Sequence, residues 1–197
     1  MILSDREIAA AIREGSLRID PVPADHLWTS TAVDLTLDAT LVRWKTGGLV
    51  VRPGVSGFNV RRLLADPDLA DRVPIPPEGF PLGPGQFVLG YTEQAIHLPR
   101  SARLAARVEG KSSLARLGVG VHVTAPTIHA GFGDNPERID EPGLPIQLEI
   151  FNLGPLTVAL DAGMPICQLI LEEVGQEPNK GYAGQFSAQR SFTELRP

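Results

Sequence analysis

Apolar residues near the start of the chain recur at helical spacing. Ile8 and Ile12 follow Ser4 and Glu7, whose three-residue separation is that of a capping box. Gly15 then favours the end of the helix, because glycine readily adopts the left-handed conformation found after helix C-termini. The pattern predicts an N-terminal helix of about three turns.

The rest of the chain consists of short runs in which apolar and polar residues alternate, the spacing typical of β-strands. The runs are separated by turns rich in the 20 glycines and 18 prolines. A short helix followed by an irregular loop is expected within 57–84, and a polar surface insertion is expected at 131–143. The C-terminal tail, 176–197, is expected to fold over another part of the protein or to pack on a neighbouring subunit. This succession predicts a mainly β fold such as a sandwich or jelly roll. Seven runs read as strands: 32–44, 85–98, 102–110, 119–128, 144–154, 156–163 and 165–174.

Composition narrows the functional classes. At 197 residues we expect one domain, and the net charge of −5 argues against a general nucleic-acid binder, which needs a basic surface. No run reaches the ~18 apolar residues of a membrane span, and acids interrupt the N-terminus before any signal-peptide core forms, so we expect a cytoplasmic protein. The single cysteine, Cys167, excludes an intrachain disulfide and predicts a buried core thiol.

The segment "EGKSSLARLG" (109–118) places cations and hydroxyls around one turn. Ser112 or Ser113 can cap a short helix that Gly118 ends, which is a purely structural interpretation. It leaves Lys111 and Arg116 unexplained. Two cations and two hydroxyls at a helix N-terminus also suit a phosphate, so both interpretations stay open.

An acid interrupts the apolar strand "LPIQLEIFN" (144–152). Glu149 is either solvated on an open face or held in a pocket, where it would suit proton transfer. The four histidines form no HxxxH or HxH pair, which argues against a transition-metal site. Strand alternation divides the central residues into two faces: Ile146, Leu148 and Ile150 on one, Gln147, Glu149 and Phe151 on the other.

Several segments together resemble the dCTP deaminases of the trimeric dUTPase-like superfamily. They are "EGKSSLARLG", "HVTA", "QLEIFN" and "AGMPICQLIL", with "MILSDREI" and "TAVDLTL" earlier in the chain. The resemblance implies a mainly β fold of the dUTPase-like β-clip type, a distorted jelly-roll barrel. It also implies a homotrimer with active sites between subunits, dCTP as substrate, and Mg²⁺ bound through the nucleotide triphosphate, without zinc.

The resemblance also assigns roles to residues. Glu149 matches the proton shuttle that activates water for attack on C4 of cytosine. Ser112 and Arg116 match the residues that position this water and stabilise developing charge, with the Ala125 backbone carbonyl as a further partner. The matching substrate contacts are Lys111 and Ser113 for the triphosphate, Gln147 beside the glutamate, and Lys180, Tyr182 and Gln185 in the closing segment "NKGYAGQ".

Two features depart from the family pattern. Lys111 stands where arginine is common, and a lysine offers a point charge in place of a two-pronged contact. The superfamily also has an aspartate after "TA" that contacts the sugar and, in dUTPases, activates water. Here "APTIHAGFG" places His129 there as a substrate contact, while a register that uses Asp140 breaks the continuous match.

These observations leave three functional hypotheses. The leading one is zinc-independent deamination of dCTP to dUTP and ammonia. The second is a dUTP diphosphohydrolase, alone or combined with deamination, which His129 disfavours because the water-activating aspartate is missing. The third is a non-catalytic nucleotide-binding protein on the same scaffold.

Overall fold

The computed structural model describes residues 1–45, 48–121, 125–134 and 143–180. Its first element is the predicted N-terminal helix, α1 (Asp5–Arg13). The capping box is present: the Ser4 backbone N–H donates to the Glu7 carboxylate at 2.7 Å, and the Glu7 N–H donates to Ser4 Oγ. Ile8 and Ala11 are buried, so the helix packs on the body of the protein with one face.

Strands are the main type of secondary structure in the remaining described chain, which confirms the mainly β prediction. Two further helices, α2 (Val60–Ala65) and α3 (Ser112–Ala115), are short. The strands are β1 (Arg18–Asp20), β2 (Val33–Thr36), β3 (Thr40–Trp44), β4 (Ala70–Pro74), β5 (Phe80–Leu82), β6 (Phe87–His97), β7 (Leu104–Gly110), β8 (Val119–Val121), β9 (Thr127–Ile128), β10 (Leu144–Asn152), β11 (Val158–Leu160) and β12 (Pro165–Glu173).

Within the described parts of the chain, the strands form three antiparallel sheets. The largest has the order β4-β3-β6-β10-β8, with β1 also paired to β6, and β10 therefore lies inside it between two neighbours. A four-stranded sheet has the order β2-β12-β7-β9, and β5 pairs with β11. A buried strand with neighbours on both sides is a rigid place for a functional side chain.

The β10 strand separates the main core from a smaller apolar cluster. Ile146, Leu148 and Ile150 point into the main core, as the alternation predicts. Successive residues of a strand point to opposite faces, and the neighbouring strands follow the same rule. Val42 and Leu89 accordingly lie on the other face, in a cluster that α2 joins through Leu64.

The structure corrects three details of the strand prediction, the first being that the run 119–128 is divided between β8 and β9 of different sheets. The run 32–44 is divided between β2 and β3, which belong to different sheets. The chain turns between them at Asp38, whose carboxylate accepts from the Thr40 N–H at 3.0 Å. The segment 57–84 contains the expected helix, but the expected irregular loop also holds β4 and β5. Their short runs become strands because partners elsewhere in the chain pair with them.

Three other expectations concern single features. Cys167 is fully buried in the main core, as predicted. Most of the 131–143 insertion and the tail beyond 180 lie outside the described residues. Among the helices of the described chain, none combines the length and the apolar character needed to cross a bilayer.

Candidate active site

A cavity of about 540 Å³ lies on the outer face of the largest sheet. Its walls are this sheet face, helix α2 and the segment 125–132. Most of the lining is apolar, and the polar side chains are few, which is the usual composition of a small-molecule site. The lining residues are Trp44, Val60, Leu64, Phe87, Leu89, Ala125, Thr127, Ile128, His129, Phe132, Ile146, Gln147 and Glu149.

Glu149 lines this cavity from the middle of β10. It lies directly opposite Leu89 of β6, which in turn lies opposite Val42 of β3. The carboxylate side chain is therefore the polar member of an otherwise apolar row across three strands, and it is half-buried. Of the two alternatives that the sequence left open, the structure supports the pocket over the open solvated face.

Gln147 lies two residues before Glu149 and lines the same cavity. It pairs with Tyr91 across the sheet. Its amide Nε2 is buried and has no hydrogen-bond partner within the part of the chain that the structure describes. Buried hydrogen-bond donors without an acceptor are uncommon in folded proteins, and such a donor at a cavity is a candidate for binding a ligand.

The segment 125–132 forms the opposite wall and is held by backbone hydrogen bonds. The Gly131 N–H donates to the Leu98 carbonyl at 2.7 Å, and the Leu98 N–H donates to the Phe132 carbonyl at 2.9 Å. Gly131 has φ +88°, a conformation that favours glycine. Ala125 and His129 are exposed residues of this segment that line the cavity, so they lie on its open side.

Helix α3 carries the serines and the arginine of the predicted site. Ser112, Ser113 and Arg116 are all exposed. The helix begins at Ser112 with Lys111 in the N-cap position and no side-chain capping bond, so the expectation that a serine caps it is wrong. Both serines fall inside the helix, one and two residues after the capping position, and both are exposed. Gly118 ends the turn with φ +91°, as predicted.

Lys111 is held within its own chain. Its ammonium forms an ion pair with the carboxylate of Asp34 on β2. The other oxygen of that carboxylate accepts from Gln168 Nε2 at 3.0 Å, and Asp34 is only 6% exposed. Sequence reasoning missed Asp34, although an acid in the apolar run "AVDLTL" is the same signal that drew attention to Glu149.

The structure thus brings some of the predicted site residues together and leaves others apart. Within the described part of one chain, none of the residues 111–116 lines the cavity that holds Glu149. Lys180 is described and exposed, whereas Tyr182, Gln185 and the alternative aspartate Asp140 lie outside the described residues. Four of the predicted site residues line the same cavity: Ala125, His129, Gln147 and Glu149.

Sequence reasoning also missed the aromatic part of the lining. Trp44, Phe87 and Phe132 come from three different elements, and only the fold brings them to one cavity. Aromatic side chains of this kind stack on planar rings. Among the described residues, no group of three or more histidine, cysteine, aspartate or glutamate side chains is placed to hold a metal ion.

Comparison with known proteins gives consistent matches over most of the chain. The pattern of the family described as dCTP deaminase-like matches residues 2–174. A "dCTP deaminase" of Rhodospirillum rubrum is 36% identical over 194 residues, covering 96% of this chain and 91% of that protein. A "dCTP deaminase, dUMP-forming" of Corynebacterium jeikeium is 38% identical over 172 residues, covering 87% of this chain and 80% of that protein.

A solved structure shares the fold. The 2'-deoxycytidine 5'-triphosphate deaminase from Agrobacterium tumefaciens superposes with a TM-score of 0.62 at 20% identity. The match covers 86% of this chain but 47% of the other, so the present chain spans about half the length of that protein. The expected mainly β fold is confirmed, and this chain shares its architecture with that dCTP deaminase.

Proposed function

Because this chain belongs to the dCTP deaminase-like family, we propose that it deaminates dCTP with water, giving dUTP and ammonia. The observation that carries the proposal is the position of Glu149, a carboxylate on a central strand that lines a mainly apolar cavity. Proton transfer by a positioned side chain is the step that such a carboxylate can supply.

The proposed chemistry moves protons through Glu149. Its carboxylate accepts a proton from the water that attacks C4 and delivers it to N3 of the ring. It then transfers the second proton of the water to the amino group, the C4–N bond breaks, and ammonia leaves while the water oxygen remains as O4. Ser112, Arg116 and the Ala125 carbonyl are proposed to orient the water and stabilise the charge that develops during the attack.

The cavity suits the nucleoside part of this substrate. Its volume of about 540 Å³ falls within the range of small-molecule sites. Trp44, Phe87 and Phe132 offer flat apolar surfaces to a pyrimidine ring. His129, on the open side of the cavity, is proposed to contact the sugar.

The triphosphate is proposed to lie outside this cavity and to bring Mg²⁺ with it as part of the substrate. Magnesium is commonly bound through substrate phosphates with few protein ligands, so the chain need supply only cations and hydroxyls. Lys111, Ser113 and Lys180 are the proposed phosphate contacts, and Tyr182 and Gln185 are proposed to close over the substrate.

We further propose that a second copy of the chain completes each site, in a homotrimer. Ser112 and Arg116 are exposed and, among the described residues, do not line their own chain's cavity. Leu117 and Leu153 lie beside them with 39% and 81% of their surfaces exposed, and the Leu153 N–H donates to the Gly118 carbonyl at 2.8 Å. Exposed apolar side chains next to unused polar ones are typical of a surface that packs against another subunit.

Subunit mixing tests this arrangement. Glu149→Gln and Arg116→Ala chains, each of low activity alone, are refolded together in equal amounts. If the two residues act across an interface, about a quarter of the wild-type activity returns, because one intact glutamate must face one intact arginine. No recovery in a mixture that forms trimers would place both residues of a site in one chain.

A second candidate, also supported by the comparisons, is deamination followed by loss of pyrophosphate. The Corynebacterium jeikeium relative and one from Methanosphaera stadtmanae, 33% identical over 184 residues, carry the name "dCTP deaminase, dUMP-forming". Following ammonia and pyrophosphate separately in one reaction with dCTP and Mg²⁺ distinguishes the two. Equal release of both favours this candidate, and ammonia alone favours the first.

The decisive test compares two glutamates. Glu149→Gln is expected to lower the rate of ammonia release from dCTP by at least about 10²-fold, because the shuttle loses its proton acceptor. Glu173→Gln, a control at the exposed end of β12, keeps the wild-type rate. If the wild-type protein binds dCTP but releases no ammonia, the non-catalytic hypothesis takes the place of this proposal.

A further inference from the structure

The unpartnered amide of Gln147 has a specific use in the cavity. Its Nε2 atom is buried, and within the described residues it has no acceptor. Leaving a buried donor unpaired destabilises the folded protein, because the donor loses its hydrogen bonds to water and gains none in exchange. Gln147 nevertheless lies on β10 two residues from Glu149, where a leucine or valine would fill the same space without this cost.

The neighbours of Gln147 make a purely structural role insufficient. The residue faces away from the main core, which its neighbours Ile146 and Leu148 fill. Its cross-strand partner Tyr91 belongs to the small apolar cluster on the outer face. In these apolar surroundings, an apolar side chain at position 147 would stabilise the fold by packing better than an amide does.

We propose that Gln147 donates a hydrogen bond from Nε2 to the exocyclic O2 carbonyl of the pyrimidine ring. This inference rests on the proposed function and deepens it, because it names the group that recognises the base. Residues two apart on a strand start about 7 Å from one another on the same face. Glu149 and Gln147 can therefore address different groups along one side of the ring.

The choice of O2 follows from the chemistry of the ring. Glu149 must reach N3 and the 4-amino group, because both receive protons during the reaction. O2 is the acceptor of the cytosine ring next to N3 that takes no part in the proton transfers. A donor two residues before Glu149 is placed to bind it, and in doing so it fixes the ring in the orientation that presents C4 to the carboxylate.

Binding requires a small movement of the amide. Nε2 is buried in the present conformation, whereas the residue as a whole is half-buried and lines the cavity. Rotation about the last side-chain bond exchanges Nε2 with Oε1, and this torsion has a broad, shallow energy profile. The hydrogen bond formed with the ligand then supplies the partner that the free protein lacks.

The test combines a variant with a substrate analogue. In 2-thio-dCTP, sulfur replaces O2 and is a weak acceptor, while the reacting C4 is unchanged. Gln147→Leu is expected to lower kcat/KM for dCTP by about 3- to 10-fold, the effect of one neutral hydrogen bond. The same variant should change kcat/KM for 2-thio-dCTP by less than about twofold, since that bond is already lost.

Two further variants sharpen the comparison. Gln147→Glu keeps the size of the side chain but presents carboxylate oxygens to O2, so the loss with dCTP should exceed that of Gln147→Leu. Glu14→Leu, a control on the exposed surface at the end of α1, should behave as wild type with both substrates. Equal losses with dCTP and 2-thio-dCTP, or no loss with either, would overturn the assignment.

A binding measurement separates this inference from the proposed reaction. The dissociation constant of dCTP is measured for Glu149→Gln with and without Gln147→Leu, and a 3- to 10-fold weakening is expected. If the wild-type protein shows no deamination but this weakening appears, the proposed reaction fails and the recognition of O2 stands. If deamination occurs and the weakening is absent, the inference alone fails.

Discussion

Lys111 and Asp34, 77 residues apart in the sequence, form an ion pair that joins the start of α3 to strand β2. Gln168 of β12 completes the arrangement by donating to the second carboxylate oxygen at 3.0 Å. Asp34 is 6% exposed, and these two partners give its buried carboxylate oxygens their hydrogen bonds. The cation that the sequence offered as a phosphate contact therefore also has a structural partner.

Asp34→Asn is expected to destabilise the protein by about 2 kcal/mol, because it leaves the partly buried ammonium of Lys111 without a counter-charge. Urea denaturation measures the change. Glu177→Gln, which removes the half-exposed ion pair with Arg100, serves as the control and should change the free energy of unfolding by less than about 0.5 kcal/mol. If Asp34→Asn and Glu177→Gln change the free energy of unfolding equally, the burial of Asp34 contributes nothing to the strength of its ion pair.

The proposed phosphate contact of Lys111 can be measured apart from its structural role. In an Asp34→Asn background the lysine no longer has a buried counter-charge, and Lys111→Met can be added without stranding an acid. The double variant is expected to bind dCTP about tenfold more weakly than Asp34→Asn alone, as a charge-assisted contact is lost. Binding of deoxycytidine, which has no phosphate, should be the same in both, and a parallel loss there would contradict the contact.

Cys167 should make the protein less stable at alkaline pH. Burial raises the pKa of its thiol from 9.0 to about 12. The nearby Asp34 carboxylate adds a smaller increase, and the Lys111 ammonium acts in the opposite direction. Above pH 9 the unfolded chain loses the thiol proton that the folded chain keeps, so stability falls between about pH 9 and pH 12. By pH 10 this loss is on the order of 1 kcal/mol.

The measurement compares urea midpoints of the wild type and Cys167→Ala at pH 7.5 and pH 10. The stability difference between the two proteins should move in favour of the alanine variant as the pH rises. Cys167→Ala also removes core volume, but that cost does not depend on pH. A difference that stays constant between the two pH values would show that the thiol does not titrate differently in the folded state.

Glycines at the two ends of the α3 region should differ sharply in their tolerance of alanine. At Gly118, φ is +91° and an added Cβ would overlap the backbone of Gly154, which cannot move as a side chain can. Gly118→Ala is therefore expected to cost about 3 kcal/mol or more. At Gly110 the nearest atom to such a Cβ lies 3.9 Å away, so Gly110→Ala should be nearly neutral. Thermal unfolding of both variants tests the contrast.

Local patterns were enough to predict some parts of this molecule. The capping box of Ser4 and Glu7 and the alternation around Glu149 depend only on neighbours in the chain, and both appear as expected. The family resemblance that the motifs implied is confirmed by the comparisons. These signals lie within a few residues of one another, which is the range over which propensity and periodicity operate.

Other parts depend on contacts between distant segments. Strand β4 forms because β3 offers it a partner, and the ion pair of Asp34 with Lys111 joins residues that no local pattern connects. The helix start at Ser112 differs from the capping prediction by a single residue, which is within the usual uncertainty of helix ends. The cavity itself is assembled from α2, the sheet and the segment 125–132, so only the folded chain defines it.

The alternation of β10 has a consequence for how this protein can change over evolutionary time. Gln147 and Glu149 face the cavity, while Leu148 and Ile150, which alternate with them, fill the interior. Mutations at Gln147, which is proposed to bind the base without taking part in proton transfer, can retune which nucleotide is accepted with little risk to folding, whereas those at Leu148 and Ile150 are constrained by packing whatever the ligand. New specificities in this lineage should therefore arise first at alternate residues of a single strand.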